Sequence, residues 1–202
     1  MARNPGILVH VCCGPCYLAL AGALAEEGYA PTGYFYNPNV HPLIEFRRRL
    51  KAARLAAAAV KSEMVYEPRY GLKLFLERVD ATSGDRCSRC YRLRLDEAAR
   101  KAREMGFERF TTTLLTSPHQ DVGLIEAIGR AAACEAGVEF VGGDRRGLHE
   151  EGALLAKRRS LYRQQYCGCV FSEYERFITT RLHLIEGDET PDERSGELGH
   201  DR

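Results

Sequence analysis

Ile7-Leu8-Val9-His10-Val11-Cys12-Cys13-Gly14-Pro15-Cys16-Tyr17-Leu18-Ala19-Leu20-Ala21-Gly22-Ala23-Leu24-Ala25-Glu26-Glu27-Gly28 is the stretch on which the fold turns. Ile7–Val11 is apolar and β-rich, and reads as a buried strand. Tyr17–Glu27 carries Leu18, Leu20, Ala21, Leu24 and Ala25 and reads as a helix closed by Gly28. A second strand, Pro31–Tyr36, stops at the turn Asn37-Pro38-Asn39. Strand, helix, strand in that order is a βαβ unit, and βαβ units imply a parallel sheet.

The alternation continues outward. A long Arg- and Ala-rich helix follows His41-Pro42 to about Val60, then a short strand at Met64–Tyr66 and a helical stretch at Leu72–Val79. A loop through Gly84 leads Cys87 and Cys90 into a helix reaching Met105. Phe110–Leu114 reads as a strand, Gln120–Ala136 as a helix and Val138–Val141 as a strand, with helices around Ala153–Arg159 and Ser172–Leu182. The expected fold class is therefore α/β, with a mostly parallel sheet and a helical C-terminal part. In such sheets the active site is built from loops at the C-terminal ends of strands. Cys12–Cys16, Asn37–Pro42, Thr111–Gln120 and Gly142–Asp144 hold that position.

At 202 residues, 45% hydrophobic and 28% charged, the chain suits one soluble domain with a sizeable core. No apolar run approaches a membrane span. Met1–Gly6 passes directly into a short apolar run without the features of a secretory leader, so a cytoplasmic location is expected, where thiols stay reduced. Residues 187–202 carry six acids against Arg194 and Arg202, leaving the other 186 residues at +5. The expected organisation is one domain over 1–186 and a disordered acidic tail over 187–202.

Seven of the eight cysteines fall in three clusters: Cys12-Cys13-x-x-Cys16, Cys87-x-x-Cys90 and Cys167-x-Cys169. A core uses cysteine singly. Tight clusters instead offer several thiolates to one inorganic centre or one redox exchange. Cys12 and Cys13 sit where a strand gives way to a helix, whose positive end favours thiolates. Arg86, Arg89, Arg92 and Arg94 surround Cys87 and Cys90 and offset thiolate charge. The donor set suits an iron–sulfur cluster better than zinc, because Cys-Cys is an awkward zinc knuckle, with pure thiol–disulfide chemistry a third reading. Gly168 permits a tight Cys167/Cys169 pair that cycles between dithiol and disulfide or holds a second metal. Cys134, in a run of alanines, reads as core, and Cys16 as either site or helix start.

Five motifs together carry a family resemblance: Leu8–Cys16, Tyr34–Pro42, Arg86–Leu95, Phe110–Pro118 and Tyr162–Cys169. Over about residues 7–177 the chain resembles QueH-type epoxyqueuosine reductases. The resemblance implies a Rossmann-like (HUP-type) layered domain of the adenine-nucleotide α-hydrolase kind. It also implies reduction of epoxyqueuosine to queuosine at the wobble position of tRNA. Cys12, Cys13, Cys87 and Cys90 match the family's ligands to a [4Fe–4S] cluster. Cys167 and Cys169 match a redox-active disulfide pair, with an additional iron ion also proposed nearby. Cys12–Cys16 replaces a phosphate-binding loop, so ATP use is not expected.

Epoxide-to-alkene reduction takes two electrons and two protons and releases water. The expected proton donors are His10, His41 and Tyr36, with Tyr91 and Tyr166 beside them. His10, embedded in a strand, also reads as an ordinary core histidine. Arg47, Arg48, Arg49, Lys51 and Arg54 form one basic group, and Lys157, Arg158, Arg159 and Arg163 a second, for tRNA phosphates. Asn37, Asn39, Ser117 and Gln120 are candidate contacts to the base. The electron donor is external, since no flavin or nicotinamide motif is present. The rival readings are a zinc-bearing RNA-binding protein without redox activity and a thiol–disulfide oxidoreductase.

Overall fold

Ile7, Leu8 and Val9 have no solvent exposure at all, which places their strand in the middle of the sheet. The computed structural model describes residues 4–80 and 84–179. The order of elements is β1 (Gly6–His10), α1 (Gly14–Glu26), β2 (Ala30–Phe35), α2 (Leu43–Ala59), β3 (Met64–Tyr66) and α3 (Leu72–Arg78). It continues with α4 (Arg86–Glu104), β4 (Arg109–Thr112), α5 (Val122–Ala136), β5 (Glu139–Phe140), α6 (His149–Arg158) and α7 (Val170–Phe177). The five strands pair only in parallel, in the order β3-β2-β1-β4-β5. The order reverses between β1 and β4, the topological switch point of a doubly wound sheet.

Alternation along β1 feeds two cores. Ile7, Val9 and Val11 pack with Leu20 and Leu24 of α1 and Phe46 and Ala53 of α2. Leu8 faces the other way, with Leu95 of α4, Phe110 of β4 and Ile125 of α5. The fold is thus three-layered: α1, α2 and α6 on one face, α4 and α5 on the other. Each large apolar side chain buried this way contributes about 1.5–3 kcal/mol. On α6, Gly152 allows an unusually close approach to the first turn of α1. A β-carbon there would sit 2.7 Å from the Pro15 carbonyl oxygen.

Several boundaries differ from the sequence expectation for local reasons. β4 ends at Thr112 rather than Leu114, because the Thr112 hydroxyl accepts the Leu114 amide at 3.1 Å and starts a 3-10 turn over Thr113–Thr116. α5 starts at Val122 rather than Gln120, capped by Asp121, whose Oδ1 accepts the Leu124 amide at 2.9 Å. Cys87 and Cys90 lie inside the first turns of α4, not ahead of it. α6 starts at His149, earlier than Ala153, and α7 at Val170, two residues before Ser172. Cys134 is exposed on the outer side of α5, not core, while its neighbours Ala132 and Ala133 turn inward. The expected helix end at Leu182 and the acidic tail lie outside the described residues. Among the described residues no helix is long and apolar enough to cross a membrane.

Candidate metal and redox site

The chain leaves β1 and β4 side by side at the switch point, and hydrogen bonds tie the two exits together. The Thr113 hydroxyl accepts the Cys12 amide at 3.0 Å and donates to Cys12 Sγ at 3.1 Å. Two residues before Cys12, His10 Nε2 lies 3.0 Å from the Tyr36 carbonyl and Nδ1 lies 2.8 Å from Thr112 Oγ1. A carbonyl only accepts, so the proton sits on Nε2 and Nδ1 accepts from the Thr112 hydroxyl. Burial, helped by the nearby Arg94 charge, pushes the His10 pKa down to about 4. His10 is therefore a neutral rivet joining β1, β2 and β4, with both nitrogens engaged.

Beyond it, Cys13 takes the N-cap position of α1, with Pro15 in the first turn. The sulfurs of Cys12, Cys13 and Cys16 lie within 4.8 Å of one another. Hydrogen bonds from Cys13 and Cys16, with one from Thr113, hold the Cys12 thiol well below its ordinary range against the effect of burial. Gln164 Nε2 donates to Cys13 Sγ at 3.1 Å.

From the opposite layer, Cys87, Cys90 and Arg94 follow one another at i, i+3 and i+7 and share one face of α4. Of the four arginines around this pair, three are held by carboxylates. Arg86 reaches Glu175 at 2.7 Å, Arg89 reaches Asp85 at 2.9 Å and Arg92 reaches Glu135 at 3.1 Å. Arg94 alone of the four is fully buried, at 1% exposure. Its Nε donates to the Cys90 carbonyl at 3.2 Å, and its buried Nη2 has no partner among the described residues.

The third cysteine segment is irregular and is held by a buried ion pair. Arg49 Nε pairs with Glu45 at 2.7 Å, while Nη1 and Nη2 donate to the carbonyls of Cys167 and Tyr166, each at 2.8 Å. Glu45 also accepts from the Tyr162 hydroxyl. Arg49 was expected on the solvent-facing basic group. It is 1% exposed instead, because its i,i+4 carboxylate lies on the inward face of α2. Between the two cysteines Gly168 adopts φ +129°, and a β-carbon there would meet Arg49 Nη1 at 3.0 Å. Cys169 caps α7, its Sγ accepting the Ser172 amide at 3.3 Å. Tyr91 donates to Gln120 at 2.9 Å, and Gln120 Nε2 approaches Cys167 Sγ at 3.7 Å.

These parts enclose one cavity of about 590 Å³, bordered by Cys12, Cys16, Cys87, Cys90, Cys167 and Cys169. All eight cysteines are free thiols. Ser117, Gln120, Tyr91 and Tyr166 also border the cavity. Asn37, Asn39 and His41 are instead buried among the strand-end loops, with Asn37 Nδ2 donating to the Val11 carbonyl at 2.8 Å and His41 Nε2 on the Pro38 carbonyl at 3.0 Å. Tyr36 stacks on Tyr34 at 6.0 Å between ring centroids. Arg47, Arg48, Lys157, Arg158 and Arg163 are exposed and do not line the cavity. His119, His149 and Gln164 also line it and were not singled out as site residues in the sequence, whereas Arg94, which lines it too, was read there as one of four arginines offsetting thiolate charge. Only Arg94 carried a usable signal, its helical spacing from Cys87 and Cys90.

A family profile described as "Epoxyqueuosine reductase QueH" matches residues 7–175. The chain belongs to the QueH family. Among curated QueH proteins, the Dehalococcoides mccartyi epoxyqueuosine reductase is 39% identical over 173 residues, covering 86% of this chain and 95% of its own. The Thermotoga maritima epoxyqueuosine reductase is 36% identical over 179 residues, covering 84% and 91%. Among solved structures, the U34-tRNA thiolase NcsA from Methanococcus maripaludis, described with its [4Fe-4S] cluster, aligns with TM-score 0.55 at 17% identity. It covers 85% of this chain and 62% of its own, a likeness of fold. The five motifs read in the sequence all begin within the region matched by the QueH profile.

Proposed function

We propose that this chain is an epoxyqueuosine reductase whose redox centre is a [4Fe–4S] cluster held by Cys12, Cys13, Cys87 and Cys90. The observation that carries this reading is the convergence of three cysteine segments, far apart in sequence, on one cavity. The all-sulfur donor set suits iron. A buried guanidinium with an unpartnered nitrogen fits a site that takes net negative charge. Such a cluster supplies electrons at low potential.

The residues of the chain do the rest. Cys167 and Cys169 stand across the cavity, and as a dithiol they yield two electrons and two protons on closing to a disulfide. That balances conversion of the epoxide to an alkene with release of one water. Held as thiolates, Cys167 and Cys169 would instead be ligands for an additional iron, which would supply Lewis acidity toward the epoxide oxygen. Proton delivery falls to groups facing the cavity, Tyr91, Tyr166 and His119, because His10 has neither nitrogen free. Ser117 and Gln120 contact the base, splayed out of the anticodon loop. Arg47, Arg48, Lys157, Arg158 and Arg163 hold tRNA phosphates, and the reaction runs in the cytosol with an external electron donor.

Anaerobic purification with iron and sulfide counts tests the reading. A brown protein absorbing near about 400 nm with about four irons per chain is expected. Changing Cys12, Cys13, Cys87 or Cys90 to Ser should remove the colour. Changing Cys167 or Cys169 should abolish turnover and leave the colour. A colourless protein with one zinc would overturn the proposal. The mutual approach of the Cys12, Cys13 and Cys16 sulfurs favours a second ligand set that includes Cys16. Loss of iron in Cys16→Ser, with iron kept in Cys87→Ser, would establish that set instead.

A further inference from the structure

Among the described residues, Arg94 is the one buried cation of the site without a carboxylate. The other, Arg49, is neutralised by Glu45 at 2.7 Å. Arg94 is just as enclosed, yet among the described residues its polar contact is one backbone carbonyl, that of Cys90. Nη2 is buried and unpartnered. Burial of an unpaired guanidinium is too unfavourable for a fold to keep unless an anion belongs beside it.

The surroundings say which anion. The Tyr91 ring lies under the guanidinium carbon at 5.7 Å. Arg94 borders the cavity together with Cys12, Cys90 and Cys167. These cysteines come one from each of the three cysteine segments. At 1% exposure Arg94 is also too deep to meet a tRNA phosphate.

We propose that Arg94 is the internal counter-charge of the thiolate-ligated centre, stabilising its reduced, more negative form and so raising its reduction potential. This rests on the iron–sulfur reading above. It makes Arg94 a tuning residue that acts through the centre and not on the substrate. Arg89 and Arg92, paired to Asp85 and Glu135, do not border the cavity, and Arg86, which does, already pairs with Glu175 at 2.7 Å.

The test is a redox titration of the wild type, Arg94→Gln and Arg94→Lys, followed anaerobically at one pH by absorption and electron paramagnetic resonance. Iron and sulfide are counted on the same samples. Removing a positive charge disfavours the reduced form. Arg94→Gln should therefore lower the equilibrium constant for one-electron reduction at least tenfold, about 59 mV. Arg94→Lys, which keeps the charge, should lie within about threefold of wild type, about 28 mV on the same scale. An Arg94→Gln protein with full iron and a wild-type potential overturns the proposal. If Arg94→Gln holds no iron, Arg94→Lys decides. Iron retained at near-wild-type potential supports the counter-charge, and iron lost there too overturns it in favour of a purely structural role. A wild type without iron or sulfide would refute the cluster reading itself, a result distinct from either.

Discussion

The ion pair that anchors the Cys167 segment gives the sharpest stability prediction. Glu45 and Arg49 are 3% and 1% exposed and meet at 2.7 Å, so solvent screens the pair very little. Glu45→Ala strands a buried guanidinium that keeps only its two carbonyl acceptors, and leaves the Tyr162 hydroxyl without its partner. Breaking a buried pair from one side costs about 3–5 kcal/mol. That is a large share of the roughly 5–15 kcal/mol that separates folded from unfolded domains. At about 2–4 °C per kcal/mol for a chain of this size, the melting temperature should fall by about 6–20 °C.

The double variant Glu45→Leu/Arg49→Met removes both charges together. It should be less destabilised than the sum of the single variants by about 2–3 kcal/mol, which is the coupling between the two side chains. It should still fail in turnover, because the Cys167 and Tyr166 carbonyls have lost their donors. The assay is urea unfolding by circular dichroism on preparations matched for iron content, with midpoints compared at constant m-value. A Glu45→Ala midpoint corresponding to less than about 1 kcal/mol of loss would refute the reasoning, since only a solvated pair is worth so little.

Gly168→Ala forces a side chain onto φ +129° and against Arg49 Nη1 at 3.0 Å. A loss of about 1–3 kcal/mol is expected, with iron retained and turnover reduced, and an unchanged melt would show that the segment sits differently. Gly152→Ala places a β-carbon 2.7 Å from the Pro15 carbonyl oxygen and should cost about 1–3 kcal/mol by overpacking. A thermal scan checks it, and a gain in stability would deny the close seat of α6 on α1. Gln120→Ala cuts the link from Tyr91 to Cys167 Sγ. Turnover should fall on the order of tenfold or more at constant iron content, and an unaltered kcat would remove Gln120 from any positioning role.

Much of this architecture was legible because periodicity is a local signal. The apolar run at Ile7–Val11 and the helical spacing to Gly28 are enough for a βαβ unit, and every later element was found with only its ends displaced. The ends moved where a side chain competed for a backbone amide, as Thr112 and Asp121 do, and such competition does not show in hydrophobic pattern. The site was legible as cysteine clusters, but its supports were not. His10 meets Thr112 only because β1 and β4 pair with His10 opposite Thr112, a long-range register. Arg49 lies in a run of arginines that reads as a solvated face, and only its i,i+4 relation to Glu45 hints at an inward turn. Cys134 failed in the opposite direction. Its alanine neighbours suggested burial, yet consecutive helix residues point in different directions and only one side of α5 is covered.

The three cysteine segments differ in how they are held, and the difference bears on the proposed division of roles. Cys13, Cys16, Cys87 and Cys90 belong to the starts of two helices whose far sides are packed into separate cores, so their backbone positions shift only if the layers shift. Such rigidity suits ligands to a fixed centre, which tolerates little displacement. Cys167 belongs to no helix or strand. Its segment is fastened through main-chain carbonyls, by Arg49 at Tyr166 and Cys167 and by the His41 amide at Gly168, 2.7 Å away. Among the described residues, the Cys167 sulfur itself has only the long approach of Gln120 at 3.7 Å. Fastening the backbone while leaving the sulfur loose is what a thiol needs if it must change partners during turnover. A permanent ligand gains nothing from that freedom.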